Sequence, residues 1–204
     1  MKSNRSKMKV WRVVACAFLA LTMALSASEA LAIGSSGIGL YEPVTAKGST
    51  AKLVGLTAKG KAKTKFKLTK TTINIKGKKR TVTTLQANAF KDAKATKIIL
   101  PKTIKTIKKN AFKGTKKKNI TLVLQAKACT KTNLKNAVAK KNIKTLVLNT
   151  KSLKKKDVKG VLKGSAVTTV KVPKSKLKAY KKYFTKANCG KKVTVKALTK
   201  KDLK

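Results

Sequence analysis

The chain has 204 residues, with 53 Lys and Arg against five Asp and Glu, no His, and a formal net charge of +48. Without imidazole, neither a Ser-His-Asp nor a Cys-His catalytic arrangement can be built. Few cysteines and carboxylates leave a four-ligand zinc site short of donors. No glycine-rich phosphate loop of Walker spacing is present either, so the sequence reads as non-enzymatic, with no catalytic residue, cofactor or metal. A field this large attracts polyanions such as teichoic acids, acidic glycans, nucleic acid or anionic membranes. Nucleic acid is the weakest of these, because recognition of bases and phosphates favours arginine.

Lys2, Arg5, Lys7, Lys9 and Arg12 form a positive stretch, and an apolar run follows from Val13 to Leu25. The run is short for a bilayer and suits a signal peptide. Ala30-Leu31-Ala32 supplies the small residues of a cleavage site, which places residues 1–32 as a signal peptide, an uncleaved anchor being the alternative. Cys16 lies near the start of the apolar run, whereas the cysteine of a lipidation box follows such a run, so lipidation is not expected. Cleavage leaves 48 basic and four acidic residues, a net charge of +44 on the mature chain, and Arg80 is its one arginine.

Residues 33–65 are rich in Gly, Ala, Ser, Thr and Lys without clear periodicity and are expected to be a flexible leader. The segment from Ile73 to Val82 predicts a hairpin around Gly77 and a cap for whatever follows. From there the chain repeats. Ile98-Ile99-Leu100, Leu122-Val123-Leu124, Leu146-Val147-Leu148 and Val170-Lys171-Val172 recur at 24-residue spacing, each closed by Pro101, Gln125, Asn149 or Pro173. Ile143, Leu146, Leu148 and Leu153 fit the apolar places of L-x-x-L-x-L-x-x-N-x-L, as do Val167, Val170, Val172 and Leu177. The asparagine place holds Lys127, Lys151 and Ser175, so the usual amide ladder is missing. Cys129 occupies a core place of this pattern and is expected to be buried and unpaired, whereas Cys189 is expected in a loop.

A second word recurs between the strands: Asn88-Ala89-Phe90, Asn110-Ala111-Phe112 and Asn136-Ala137-Val138, fading to Gly160-Val161-Leu162. The combination of I-x-L-P, the pair Ile104 and Ile107, and N-A-F-K-G resembles the BspA-like leucine-rich repeats of bacterial secreted and surface proteins. The likeness covers about residues 66–196. It implies adhesion or attachment to host or cell-surface macromolecules.

Each unit has one strand and a return, neither of which can bury its apolar face alone. The expected fold is an α/β repeat solenoid, a leucine-rich-repeat-like stack of about five strand/return units over residues 66–196. It has an N-terminal hairpin cap and a C-terminal helix-strand cap. The latter comprises a helix from Ser175 to about Lys186, a stop at Asn188 and Gly190, and a strand over Val193–Val195. Residues 197–204 are expected to be a basic tail. Among the acids, Asp92 reads as a turn residue and Asp157 as a helix cap, while Glu42 and Asp202 fall in expected tails.

Strand alternation turns the period into a map of surfaces. If Leu122 and Leu124 point inward, one outward column is Lys97, Thr121, Thr145 and Thr169, and its neighbour is Ile99, Val123, Val147 and Lys171. These eight residues form the candidate ligand-binding face, a threonine ladder beside an apolar stripe. Thr and Val are also simply good strand formers. Expected partners are a surface or matrix protein or an anionic polymer, with no transmembrane segment in the mature chain. The 204 residues contain no LPXTG-type sorting signal, so the expected location is secreted or peripherally cell-wall associated. The secreted protein should begin at Ile33 on N-terminal sequencing, and recovery of the intact chain in a membrane fraction overturns this.

Overall fold

The structure, a computed structural model, describes residues 33–204, and the expected signal segment lies outside the described residues. Strands β1 (Gly34–Ser36), β2 (Gly39–Pro43) and β3 (Thr50–Leu56) form an antiparallel meander where a flexible leader was expected. Alternation explains the difference. Tyr41, Ala51 and Leu53 are fully buried, while the polar residues between them face outward. Small and polar residues diluted this two-residue period until it looked like a linker.

Helix α1 (Ala58–Ala62) is capped by the Thr57 hydroxyl, which accepts from the Gly60 N–H at 3.1 Å, and leads into β4 (Lys65–Lys67). Strands β5 (Thr72–Ile75) and β6 (Lys78–Leu85) then form the expected hairpin. Lys76 and Gly77 make its turn, both with positive φ, at 50° and 73°, as a two-residue turn matched to strand twist requires. The hairpin does not cap the repeat sheet, however. It belongs to the same sheet as the meander, and β4 forms the edge of the repeat sheet.

From β6 onward the units are visible. Strand β7 (Lys97–Ile99) is followed by β8 (Thr106–Ile107), then β9 (Ile120–Gln125) and α2 (Lys131–Val138), then β10 (Ile143–Asn149) and α3 (Lys155–Val158). Strand β11 (Thr169–Val172), helices α4 (Leu177–Lys181) and α5 (Lys186–Cys189), and β12 (Thr194–Ala197) complete the series. The repeat strands form one all-parallel sheet in the order β12-β11-β10-β9-β7-β4. The early returns are strands as well: β3, β6 and β8 pair in parallel in the first sheet. One core lies between, holding Ile98, Leu122, Leu146 and Val170 of the repeat sheet with Val82, Leu85 and Ile107 of the first.

The N-A-F words make the tight turns of this core. Asn88 and Asn110 adopt φ of 59° and 66°, a left-handed conformation that asparagine tolerates better than most residues. Phe90 and Phe112 are thereby directed inward, their rings stacked at 5.1 Å, with Phe66 edge-on to Phe90 at 5.0 Å. Such pairs contribute about 1 kcal/mol each beyond area burial. Asp92 and Gly114 occupy the same turn position with φ of 63° and 77°. Asp92 also lies within ion-pair reach of Lys61 at 3.5 Å and Lys116 at 3.7 Å.

In the third word the asparagines take another task. Asn133 and Asn136 lie in α2 and cap the open edge of β8. The Ile107 N–H donates to Asn133 Oδ1 at 2.8 Å, and the two side-chain amides donate to the Lys105 and Ile107 carbonyls at 2.8 and 2.7 Å. Side chains thus replace the next strand, and the sheet edge is not left open for pairing.

The C-terminal helix is shorter than expected. A single-turn 3-10 helix (Lys174–Lys176) precedes α4, and the segment breaks before α5. Tyr180 and Phe184 are buried as expected, and the Tyr180 hydroxyl accepts from the Leu153 N–H while donating to the Thr150 carbonyl. Asp157 acts at the start of α3, its carboxylate accepting from the Lys154 N–H at 3.0 Å. Cys129 and Cys189 are both free and both buried, and Cys189 ends α5 where a loop was expected. Burial, then the Asp157 charge, pushes the Cys129 thiol up to about 12; burial pushes Cys189 to about 11.

Arg80, the one arginine among the described residues, is 5% exposed. Its guanidinium donates to the carbonyls of Thr45 at 3.1 Å, Ala46 at 2.6 Å and Gly48, pinning the β2–β3 connection to β6. A lysine amine cannot reproduce that planar fork. Arg80→Lys should lower the unfolding free energy by about 2 kcal/mol, read as a lower urea midpoint with an unchanged slope. An unchanged midpoint overturns this role.

Candidate functional site

The outer face of the repeat sheet is built by register alone. Lys97, Thr121, Thr145 and Thr169 are successive Cα partners across β7, β9, β10 and β11, and so are Ile99, Val123, Val147 and Lys171. The sheet extends both columns beyond the eight candidate residues, with Lys65 and Lys67 from β4 and Thr194 and Lys196 from β12. A third column carries Gln125 and Asn149, whose side-chain amides bond at 2.8 Å. That contact is a single rung of amide pairing at a place the sequence pattern did not mark.

The two main columns differ in exposure. Thr121, Thr145 and Thr169 are half-buried, as are Lys97 and Lys171. Ile99, Val123 and Val147 are not exposed as expected: they are 4%, 0% and 0% accessible. Leu198 and Leu203 cover them, forming a small apolar cluster separate from the main core. The residues expected to be a loose basic tail therefore fold back over the sheet as a strap.

Three sets of contacts hold the strap. The Leu198 N–H donates to the Val172 carbonyl at 2.8 Å, continuing from β12. A 3-10 helix (Lys200–Leu203) then turns across the face, capped by Asp202, which accepts from the Thr199 N–H at 2.8 Å and the Thr199 hydroxyl at 3.0 Å. Finally, Lys171 Nζ pairs with Asp202 at 2.6 Å, and Lys97 Nζ donates to the Lys201 carbonyl at 2.9 Å. The missed signal was Thr199-x-x-Asp202 beside two leucines, a capping motif of the Ser/Thr-x-x-acid kind. Glu42 is no loose tail residue either, pairing with Lys52 at 3.1 Å between β2 and β3.

Ordering the strap costs about 1–2 kcal/mol per residue. Covering two leucines and three branched side chains contributes about 1–2 kcal/mol each. These opposing terms are of similar size, and the Lys171–Asp202 ion pair adds to the second.

Elsewhere, Lys113, Lys117, Lys118, Lys140 and Lys141 surround an open cavity of about 410 Å³ beside Asn142. Asn142 donates from its amide to the Phe112 carbonyl and the Thr115 hydroxyl, and its Oδ1 is buried without a partner. Among the described residues, no group of three or more Cys, Asp and Glu could hold a metal ion. No helix among them is long and apolar enough to cross a membrane.

In-register parallel strands and stacked N-A-F turns define a repeat module. A family model for the BspA type leucine rich repeat region matches six copies over residues 63–191, and the chain belongs to that family. No curated protein and no solved structure matches it.

The Asp202 carboxyl gives the strap a pH signature. Burial raises its pKa, but the hydrogen bonds from Lys171 and Thr199 and the Lys171 charge outweigh burial and hold it below the ordinary 3.8. A carboxyl depressed in the folded state stabilises above its unfolded value, and that stability is lost as pH falls through the folded one. Lys97 from β7 also faces this carboxyl; its own amine is pushed down by burial and by Lys65, with Asp202 opposing. A carboxyl-detected NMR titration should therefore place Asp202 below 3.8, and Lys171→Met should move the midpoint upward. A midpoint unaffected by Lys171→Met overturns the ion pair as the strap's anchor.

Proposed function

We propose that the protein is an exported interaction module, a leucine-rich-repeat solenoid that attaches to a surface or matrix macromolecule through the outer face of its parallel sheet. The observation that carries this reading is the in-register threonine column, Thr121, Thr145 and Thr169, bordered by Lys97 and Lys171. It offers hydroxyl donors and acceptors at regular spacing, while the surrounding lysines raise the rate of encounter with acidic partners. The apolar column beneath the strap would add to the contact only if the strap moved. The chain would act outside the cell, secreted or peripherally associated with the wall, and without catalysis.

A second reading is a charge-driven binder of cell-wall teichoic acid, an acidic glycan or nucleic acid. The cavity lined by Lys113, Lys117, Lys118, Lys140 and Lys141 favours it, since several lysines around one opening suit a phosphate or sulfate chain.

Salt separates the two. Binding of the mature chain to cell walls, teichoic acid, heparin, DNA and a panel of matrix proteins is measured from low to high salt. The interaction-module reading expects one protein partner retained at high salt and weakened at least tenfold by replacing Thr121 and Thr145 with lysine. A steep salt slope shared by every polyanion, with no salt-resistant partner, assigns the function to charge instead.

A further inference from the structure

We propose that the outer face of the repeat sheet is a groove for an acidic, leucine-bearing segment of a partner protein, and that residues 198–203 are its displaceable internal occupant. The proposal rests on the reading of this face as the contact surface and names the partner's chemistry. The strap itself shows what the face accepts. Two leucines cover Ile99, Val123 and Val147, and between them a carboxylate reaches the amine of Lys171. Asp202 is one of only four acids in residues 33–204, so a carboxylate at this place is not what the composition supplies by default.

The strap also fits imperfectly. Of its other charged residues, both exposed, Lys201 opposes the charge of Lys97, and Lys200 stands beside it in a chain of large positive charge. A segment carrying acids at those two places would keep the leucine contacts and replace repulsion with attraction.

Release needs little rearrangement. Beyond Leu198 the strap bonds mostly to itself: the Asp202 N–H donates to the Thr199 carbonyl, and the Asp202 carboxylate accepts from Thr199. It meets the sheet through leucine side chains, the Asp202 carboxylate, which accepts from Lys171, and the Lys201 carbonyl, which accepts from Lys97. Lifting it breaks one ladder bond at its root, from the Leu198 N–H to the Val172 carbonyl, and none beyond.

The test uses the mature chain and a labelled synthetic peptide, Ala-Leu-Thr-Glu-Glu-Asp-Leu, which is the strap sequence with its two lysines replaced by glutamate. A Leu198→Ser/Leu203→Ser variant, which frees the face, should bind this peptide at least tenfold more tightly than the wild-type chain. A control peptide with serine for both leucines should bind both proteins equally weakly. Should the double variant lose its far-UV circular dichroism, Asp202→Asn keeps both leucines and should still strengthen peptide binding about threefold.

Equal affinity of wild type and variants overturns the proposal, and so does a serine peptide that binds as well as the leucine one, which assigns binding to the lysine coat. A wild-type dimer that the double substitution dissociates makes a second copy the occupant and overturns the partner reading. A salt-resistant matrix-protein partner that survives these failures leaves the broader function standing. Loss of both removes the outer face from the function altogether.

Discussion

Parallel pairing in register makes like residues neighbours. With a 24-residue period, each position on the repeat sheet faces its own counterpart about 4.8 Å away on the next strand. A chain with 53 basic residues must therefore decide where its lysines may stack. A lysine column along the sheet would set like charges side by side through its whole width, with a cost at every rung. The observed columns are threonine and branched aliphatics in the middle, with lysines at the ends: Lys65, Lys67 and Lys97 on one side, Lys171 and Lys196 on the other. Even there the cost is visible, since Lys65 helps depress the amine of Lys97. Most of the remaining lysines lie in returns and loops, where side chains can splay into water.

The same constraint governs what could be read in advance. A constant period fixes register, and register with strand alternation places Thr121 over Thr145 and Val123 over Val147 without any coordinate. What the period cannot reach is the chain that does not repeat. Residues 34–56 form strands whose alternation is masked by small and polar side chains, and residues 198–203 close over the sheet through side chains of just two leucines and a carboxylate, with two backbone bonds. The inside-or-outside assignment of Val123 was correct as to the core, yet its exposure depends on a segment 75 positions further along. Tertiary contact of that range leaves no local pattern beyond a capping motif.

The returns show how one sequence word can serve two geometries. Where asparagine precedes Ala-Phe in the left-handed conformation, a tight turn forms and the ring enters the core. Where the word ends in Val138 instead, the segment is helical and its asparagine amides face the last strand of the neighbouring sheet. The change from strand to helix thus coincides with loss of the aromatic ring. There the asparagines terminate the sheet that the helix replaces.

The buried, unpaired thiols have a consequence for the extracellular life proposed for this protein. Oxidation proceeds through the thiolate, and with pKa values near 12 and 11 at Cys129 and Cys189 the folded chain presents almost none at neutral pH. In the oxidising exterior proposed for this protein, neither sulfur is protected by a bond; both are protected by packing. Chemical damage at these sites would then record excursions from the native state, because a thiol exposed during opening and converted to a sulfinate cannot return to an apolar site. The oxidised fraction of an aged sample becomes a cumulative measure of how often the middle and the end of the stack have come apart, read separately at Cys129 and Cys189.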